Sequence, residues 1–289
     1  MAIRTITQQD VKAVYKQRPA EVKKYDYGLM LVVGGSEFYS GAPALSALAG
    51  WRAGVDMVYV IAPKRAADII ASFTPILAAY PVDGDYLGSQ HLSLLLARAL
   101  AAKEVARENA SVVIGGGLGR TEETLQMVSQ FLEQVEIPVV VDADAIHAVA
   151  KNKQSIMDKP FVLTPNTFEF ALLTGREVRE LPHEKRIEVV REEAKKLHTT
   201  IVLKAKTDII SNGEGVLLVE AGSPYLSIGG TGDTLAGIIG ALLARKVDLM
   251  AAAAVGAYIN SAAGELAGRK RKDSMIATDV IEEITNVIA

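Results

Sequence analysis

The sequence predicts a doubly wound α/β fold, a mostly parallel central sheet flanked by helices. Three observations carry this. Short apolar, β-branched runs recur along the chain, most are followed by a segment with helical patterning, and several end in glycine-rich or polar sequence. Runs that are apolar throughout suit strands buried on both faces, hence a parallel sheet. Strand alternating with helix implies right-handed crossovers.

Taken in order, the expected strands are residues 29–33, 57–61, 111–114, 138–141, 161–163 and 200–203. The expected intervening helices are residues 42–52, 92–107, 122–133 and 184–197. After residue 203 the pattern changes. Residues 208–210 and 216–219 flank the turn-rich SNGEG and read as a hairpin. Helices then follow at 232–245, 248–267 and 278–287 with no strand between them. No linker or repeat interrupts the chain, so one domain over residues 1–289 is expected.

The bulk composition narrows the function. Hydrophobic residues make up 49% of the 289, enough for a sizeable core, and the net charge of -3 offers no polybasic footprint for nucleic acid or an anionic membrane. Cysteine is absent, which excludes disulfides, thiolate metal sites and cysteine nucleophiles. The first residues lack the apolar core of a signal peptide, and no apolar run approaches the ~20 residues that span a bilayer. A soluble protein of the cytoplasm is expected.

Ligands of open α/β sheets bind beyond the carboxyl ends of the strands. SIGGTGDTLAGIIGALLA, residues 227–244, opens a long apolar helix with glycines, a threonine and Asp233. Glycines let backbone amides turn toward an anion, and the helix N-terminus adds about half a positive charge. Asp233 in that first turn suits a base for a hydroxyl that attacks a phosphoryl group; a capping aspartate is the plainer reading. GGGLGR, residues 115–120, ends in arginine where the dinucleotide fingerprint needs glycine, and no P-loop lysine motif occurs. It is either a pyrophosphate-holding turn or simply a tight one, and the same holds for GGSEFYSGAPAL, residues 34–45. Asp142 and Asp144 end a strand and either position phosphate or ribose, or Asp144 caps a helix. Asn166 and Glu169, one helical turn apart, suit a hydrated Mg²⁺; a capping box competes. Lys204 and Lys206, at the last buried strand end, either meet phosphates or are solvated. The four histidines show no metal spacing.

These blocks, in this order, resemble the NAD(P)H-hydrate dehydratase family from about residue 34 to residue 244, with ATD at 277–279 matching near the end. The resemblance implies a ribokinase-like three-layer fold and a hydro-lyase. Such an enzyme uses ADP or ATP with Mg²⁺ to repair hydrated NADH or NADPH, and it is a homotetramer. Carried over by position, Ala42, Gly119, Asn166 and Asp233 would contact the substrate. Lys204, Ala205, Lys206, Thr207 and Asp208, with Gly230, Thr231 and Gly232, would hold the adenine nucleotide. The sequence departs from the family in carrying Asn166 where relatives have histidine, Phe168 and Ala205 where they have glycine, and Ser227-Ile228 where they have Ala-Thr. Because Asn166 and Glu169 also resemble the magnesium motif of sugar and vitamin kinases, a small-molecule kinase of the same fold is the alternative. A nucleotide sensor without turnover is a third reading, and Asp233 argues against it.

Overall fold

The computed structural model describes residues 3–289; Met1 and Ala2 of the expected domain and N-terminal segment lie outside the described residues. Its strands are β1 (Ile3–Thr5), β2 (Leu29–Val33), β3 (Met57–Pro63), β4 (Ala78–Val82), β5 (Ala110–Ile114), β6 (Val139–Val141), β7 (Phe161–Leu163), β8 (Thr200–Leu203), β9 (Asp208–Ser211) and β10 (Val216–Val219). They form one sheet in the order β1-β10-β9-β8-β7-β6-β5-β2-β3-β4. Every neighbouring pair is parallel except those of β9, which is antiparallel to both β8 and β10. The hairpin expected after residue 203 is therefore present, and it extends the parallel sheet rather than standing apart.

The helices are α1 (Gln8–Val14), α2 (Gly41–Arg52), α3 (Lys64–Phe73), α4 (Leu92–Val105), α5 (Glu122–Gln134), α6 (Asp144–Lys151), α7 (Thr167–Thr174), α8 (His183–Lys196), α9 (Thr231–Ala244), α10 (Leu249–Arg271) and α11 (Ala277–Ile288). Two hydrophobic layers sandwich the sheet. Met30, Val32, Val60, Val113 and Val140 pack with residues of α2, α3, α9, α10 and α11. Their strand neighbours Leu31, Ile61, Ile114 and Val141 pack on the other face with α4 to α8. Successive residues of a strand point to opposite faces, so a strand apolar at every position feeds both layers. Phe131, Phe161 and Phe170 are fully buried in the second layer, each worth roughly 1.5–3 kcal/mol of burial.

Six elements were not among the expected ones: β1, β4, α1, α3, α6 and α7, the last two having entered only through the capping alternatives at Asp144 and Asn166. The edge strand β4 carries Pro81 and is mostly exposed. Proline cannot donate to a ladder, and an edge strand needs no continuous apolar run. The α3 segment KRAADIIASF begins directly at the end of β3, with Pro63 in the capping position and no separating turn.

One packing detail sets the position of everything at the carboxyl edge. Helix α9 crosses the sheet against α2 so closely that a methyl on Gly237 would stand 2.1 Å from the Ser46 carbonyl oxygen. Glycine in a helix interior costs about 1 kcal/mol relative to alanine. Here its missing side chain lets two helices touch and fixes where α9 begins.

Candidate active site

The loops at the carboxyl ends of β5, β6, β7 and β8 converge on the N-terminus of α9. Gly230 occupies the N-cap of α9 at φ +96, a left-handed conformation natural to glycine, and supplies no side-chain cap. The first amides of the helix are thus left for an outside acceptor. Three polar contacts hold this turn rigid. Thr231 Oγ1 donates to the Leu226 carbonyl at 2.8 Å, Ser46 Oγ donates to the Asp233 carbonyl at 2.9 Å, and buried Thr234 Oγ1 lies 2.6 Å from Asn260 Oδ1. The capping alternative for Asp233 is not what is built: it sits inside the helix, and the hydrogen bond its carboxylate accepts comes from its own amide.

Asp233 faces the glycine turn after β5. A methyl on Gly116 would stand 2.8 Å from Asp233 Oδ1 and 3.2 Å from Ala42 Cβ. The expected substrate contacts Ala42 and Asp233 are therefore neighbours, with the Gly116 backbone between them. Gly119 belongs to the same turn and donates its amide to Asp144 Oδ2 at 2.9 Å, while Arg120 Nε donates to Asp144 Oδ1 at 2.6 Å. Asp144 thus pins the glycine turn; the N-cap position of α6 is held by Ala143.

Behind Asp233 lies a charged cluster. Buried Asp142 accepts from Thr164 Oγ1 at 2.7 Å and from Lys204 Nζ at 2.8 Å. Lys204 also lies 3.8 Å from Glu169, and a methyl on Gly232 would stand 3.4 Å from its Nζ. Burial alone would pull Lys204 down, but Asp142, Glu169 and Asp233 outweigh it and hold its pKa above the ordinary lysine value. Burial, then the nearby charge of Asp142, pushes Asp233 up to about 7, against the lowering effect of Lys204. A carboxyl poised near neutral pH is what a general base requires.

The remaining expected residues separate. Asp208 closes the 204–208 loop by accepting from the Ala205 amide at 2.9 Å, and burial pushes it up to about 6. Thr207 is half-buried in that loop, and Lys206 points to solvent, so of the two lysines it is Lys204 that enters the cluster.

Asn166 and Glu169 form a capping box on α7. Asn166 Oδ1 accepts from the amides of Phe168 and Glu169, both at 2.9 Å, and Glu169 Oε2 accepts from the Asn166 amide at 2.8 Å. The plainer of the two readings of this pair is the one built. The nearby carboxylates already surround an ammonium, and among the described residues no group of three or more acidic or histidine side chains could hold a metal ion alone. This donor set fits a Mg²⁺ that arrives with nucleotide phosphates and keeps its waters. His183 and His198 are exposed.

Sequence reasoning singled out the GGGLGR turn without naming Gly116 within it, and it passed over Thr164, Ser46 and Asn260. An apolar cavity of about 490 Å³ lined by Tyr25, Tyr59, Tyr80 and Arg98 lies beneath α4, away from these groups. It lacks both glycine turn and carboxylate, so the chemistry belongs to the cleft. No helix among the described residues is long and apolar enough to cross a membrane.

Comparison with known proteins identifies the family of the chain. The family model described as NAD(P)H-hydrate dehydratase matches residues 30–286. The bifunctional NAD(P)H-hydrate repair enzyme Nnr of Pyrobaculum aerophilum is 39% identical over 273 residues, 94% of this chain but 52% of that protein. The chain thus spans about half the length of such bifunctional relatives. The ADP-dependent (S)-NAD(P)H-hydrate dehydratase of Nitrosopumilus maritimus is 34% identical over 290 residues, covering 100% of this chain and 98% of that one. Among solved structures, the ADP/ATP-dependent NAD(P)H-hydrate dehydratase of Bacillus subtilis, co-crystallised with ATP/Mg²⁺, superposes with a TM-score of 0.82. It is 28% identical, with 99% of this chain and 98% of that chain covered.

Proposed function

The chain belongs to the NAD(P)H-hydrate dehydratase family, and from that premise we propose that it restores NADH and NADPH from their (S)-hydrates, with ADP or ATP as phosphoryl donor. The observation that carries the reading is the placement of Asp233. Its carboxyl, held near neutrality, opens α9 between an uncapped ring of amides and the Gly116–Ala42 wall.

The amides at Gly230, Thr231 and Gly232, with the helix dipole, bind the donor's phosphates. Lys204, released in part from Asp142, balances their charge, and the loop from Lys204 through Ala205, Lys206 and Thr207 to Asp208 borders the nucleotide. Mg²⁺ bound to the phosphates would further neutralise the charge on the group in transfer. Asp233 takes the proton from the ring hydroxyl as its oxygen bonds to phosphorus and the donor's terminal P–O bond breaks. Phosphorylation converts a poor leaving group into a good one. The ring nitrogen's lone pair then expels phosphate, and loss of the neighbouring carbon's proton restores the dihydropyridine. Ala42, Gly119 and Asn166 border the substrate side in this reading.

Two full-length relatives are named ADP-dependent, which favours ADP. One catalytic domain over residues 1–289 is supported by the single continuous sheet. A homotetramer and a cytoplasmic location complete the proposal, and the mass of the purified protein in solution tests the former. The kinase alternative rested on Asn166 and Glu169 as a magnesium pair; the two form a capping box, and the products of the assay decide between the readings. Incubation with hydrated NADH and ADP or ATP should restore dihydronicotinamide absorbance and release phosphate. A stable phosphoester on a sugar or vitamin alcohol, with no repair, would overturn the reading.

A further inference from the structure

Two loops at the outer end of the cleft carry aromatic side chains that the chemistry above does not use. The loop after β2 holds Phe38 and Tyr39, 76% and 53% exposed, with their rings 4.8 Å apart edge to face. The loop after β4 holds Tyr86. Each tyrosine lies against a glycine of the turn that faces Asp233. A methyl on Gly117 would stand 2.7 Å from Tyr39 Cβ, and one on Gly119 would stand 2.9 Å from the Tyr86 ring. The same hypothetical methyl on Gly117 would also stand 3.6 Å from Ala42 Cβ. From the base outward the order is Asp233, Gly116, Ala42, Gly117, Tyr39, with Tyr86 flanking at Gly119.

The two loops are tied together. The Glu37 amide donates to the Asp85 carbonyl at 2.7 Å, and Tyr86 Oη donates to Glu37 Oε1 at 3.3 Å. The Ser36 amide donates to the Tyr39 carbonyl at 2.9 Å, and the Tyr39 amide donates to Ser36 Oγ at 3.3 Å. Aromatic rings, those of Phe38 and Tyr39 exposed and that of Tyr86 half-buried, held by a cross-braced backbone form a preorganised wall. A wall of this kind favours flat conjugated rings, which gain by stacking, over polyols, which need hydrogen-bond partners.

We propose that Tyr39 and Tyr86 are specificity-determining residues that seat the conjugated nicotinamide portion of the substrate beside Asp233. The inference rests on the dehydratase reading. Hydration saturates one side of the ring and leaves the ring nitrogen, one double bond and the carboxamide in a plane. That plane against the tyrosine wall turns the ring hydroxyl inward toward Gly116 and the base.

The test uses the full chain and the variants Tyr39→Ala and Tyr86→Leu, with Tyr39→Phe and Tyr86→Phe as ring-preserving counterparts. The KM for hydrated NADH should rise roughly 3- to 10-fold in the first pair, the factor that one aromatic contact represents. The kcat and the KM for nucleotide should change little, and the phenylalanine variants should recover most of the loss. Affinity for NADH and for reduced nicotinamide mononucleotide, measured by calorimetry, should fall together. If affinity falls for NADH alone, the wall seats adenine and the inference is overturned. A wild type that repairs hydrated NADH while the variants keep its KM overturns the inference alone. A wild type that neither binds NADH nor repairs its hydrate overturns the dehydratase reading and this inference with it.

Discussion

Helices α7 and α9 start at the same edge of the sheet, a few ångströms from the same lysine, and their first turns are built in opposite ways. The turn of α7 satisfies itself. Asn166 accepts from two of the helix's own amides, and Glu169 accepts from Asn166 in return. The turn of α9 begins on glycine, which offers no acceptor, and its acidic residue faces the glycine turn across the cleft. An N-terminus capped by its own side chains is closed to anions, whereas one capped by glycine keeps its amides and its dipole for a ligand. Both sequences, NTFE and GTGD, place an acidic residue three positions on, so this difference follows from the capping residue and the side chain's direction.

The contrast is broken most severely by Asp233→Asn. An amide keeps the shape and removes the base, so turnover should fall by roughly 10²–10⁴-fold while nucleotide affinity stays close to wild type. Retention of most activity in steady-state assays would rule Asp233 out as the base. Gly232→Val comes next. Its side chain would enter the space between α9 and Lys204 Nζ, and nucleotide affinity should weaken by about tenfold, measurable by calorimetry on the folded variant.

A smaller effect separates the two turns by pH. Asp233 must be ionised to accept a proton, and burial followed by the charge of Asp142 raises it to about 7. The kcat/KM should therefore climb as pH rises through about 7. Asp142→Asn removes one of the raising charges and should move that limb to lower pH. Stability carries the opposite sign. Between the ordinary aspartate value of 3.8 and about 7, the folded state holds a proton that the unfolded state has lost. Folding stability falls across that window as pH rises. Asp233→Asn lacks this loss and should melt higher than wild type above pH 7. The smallest expected change is at the closed turn. Asn166→Ala should cost about 1 kcal/mol of stability, the usual worth of an N-cap, and Asn166→Asp should restore it. A rise in the KM for hydrated NADH beyond what lost stability explains would make Asn166 a substrate contact as well.

Much of this was legible before the structure. Six buried strands, seven helices and the hairpin follow from periodicity and turn residues, because a strand covered on both faces must be apolar at every position. The glycine-opened helix with Asp233 was legible for a similar reason: backbone amides can meet phosphate only where side chains are absent. Other features left no local signal. The edge strand β4 is exposed and interrupted by proline, and α3 follows its strand without a turn. At residues 166–169 the same letters fit a metal pair and a capping box, and sequence spacing is identical for both. Lys204 and Lys206 alternate on one strand exit, yet one is drawn into the carboxylates and the other is solvated.

Sequence alone therefore determined the layered α/β architecture and the glycine-opened helix that sets Asp233, the proposed base, at the carboxyl edge of the sheet. These depend on periods of two and 3.6 residues and on the local consequences of glycine, all of which are written within a few neighbouring positions. The tertiary structure alone decided that Asp142, 62 positions before Lys204, would neutralise it. It also decided that Gly116 would bring Ala42 against Asp233, and that the loops carrying Tyr39 and Tyr86 would be braced together. Those are contacts between distant segments whose geometry is set by how closely α9 packs on α2 and the sheet, and no local pattern encodes a distance across the cleft.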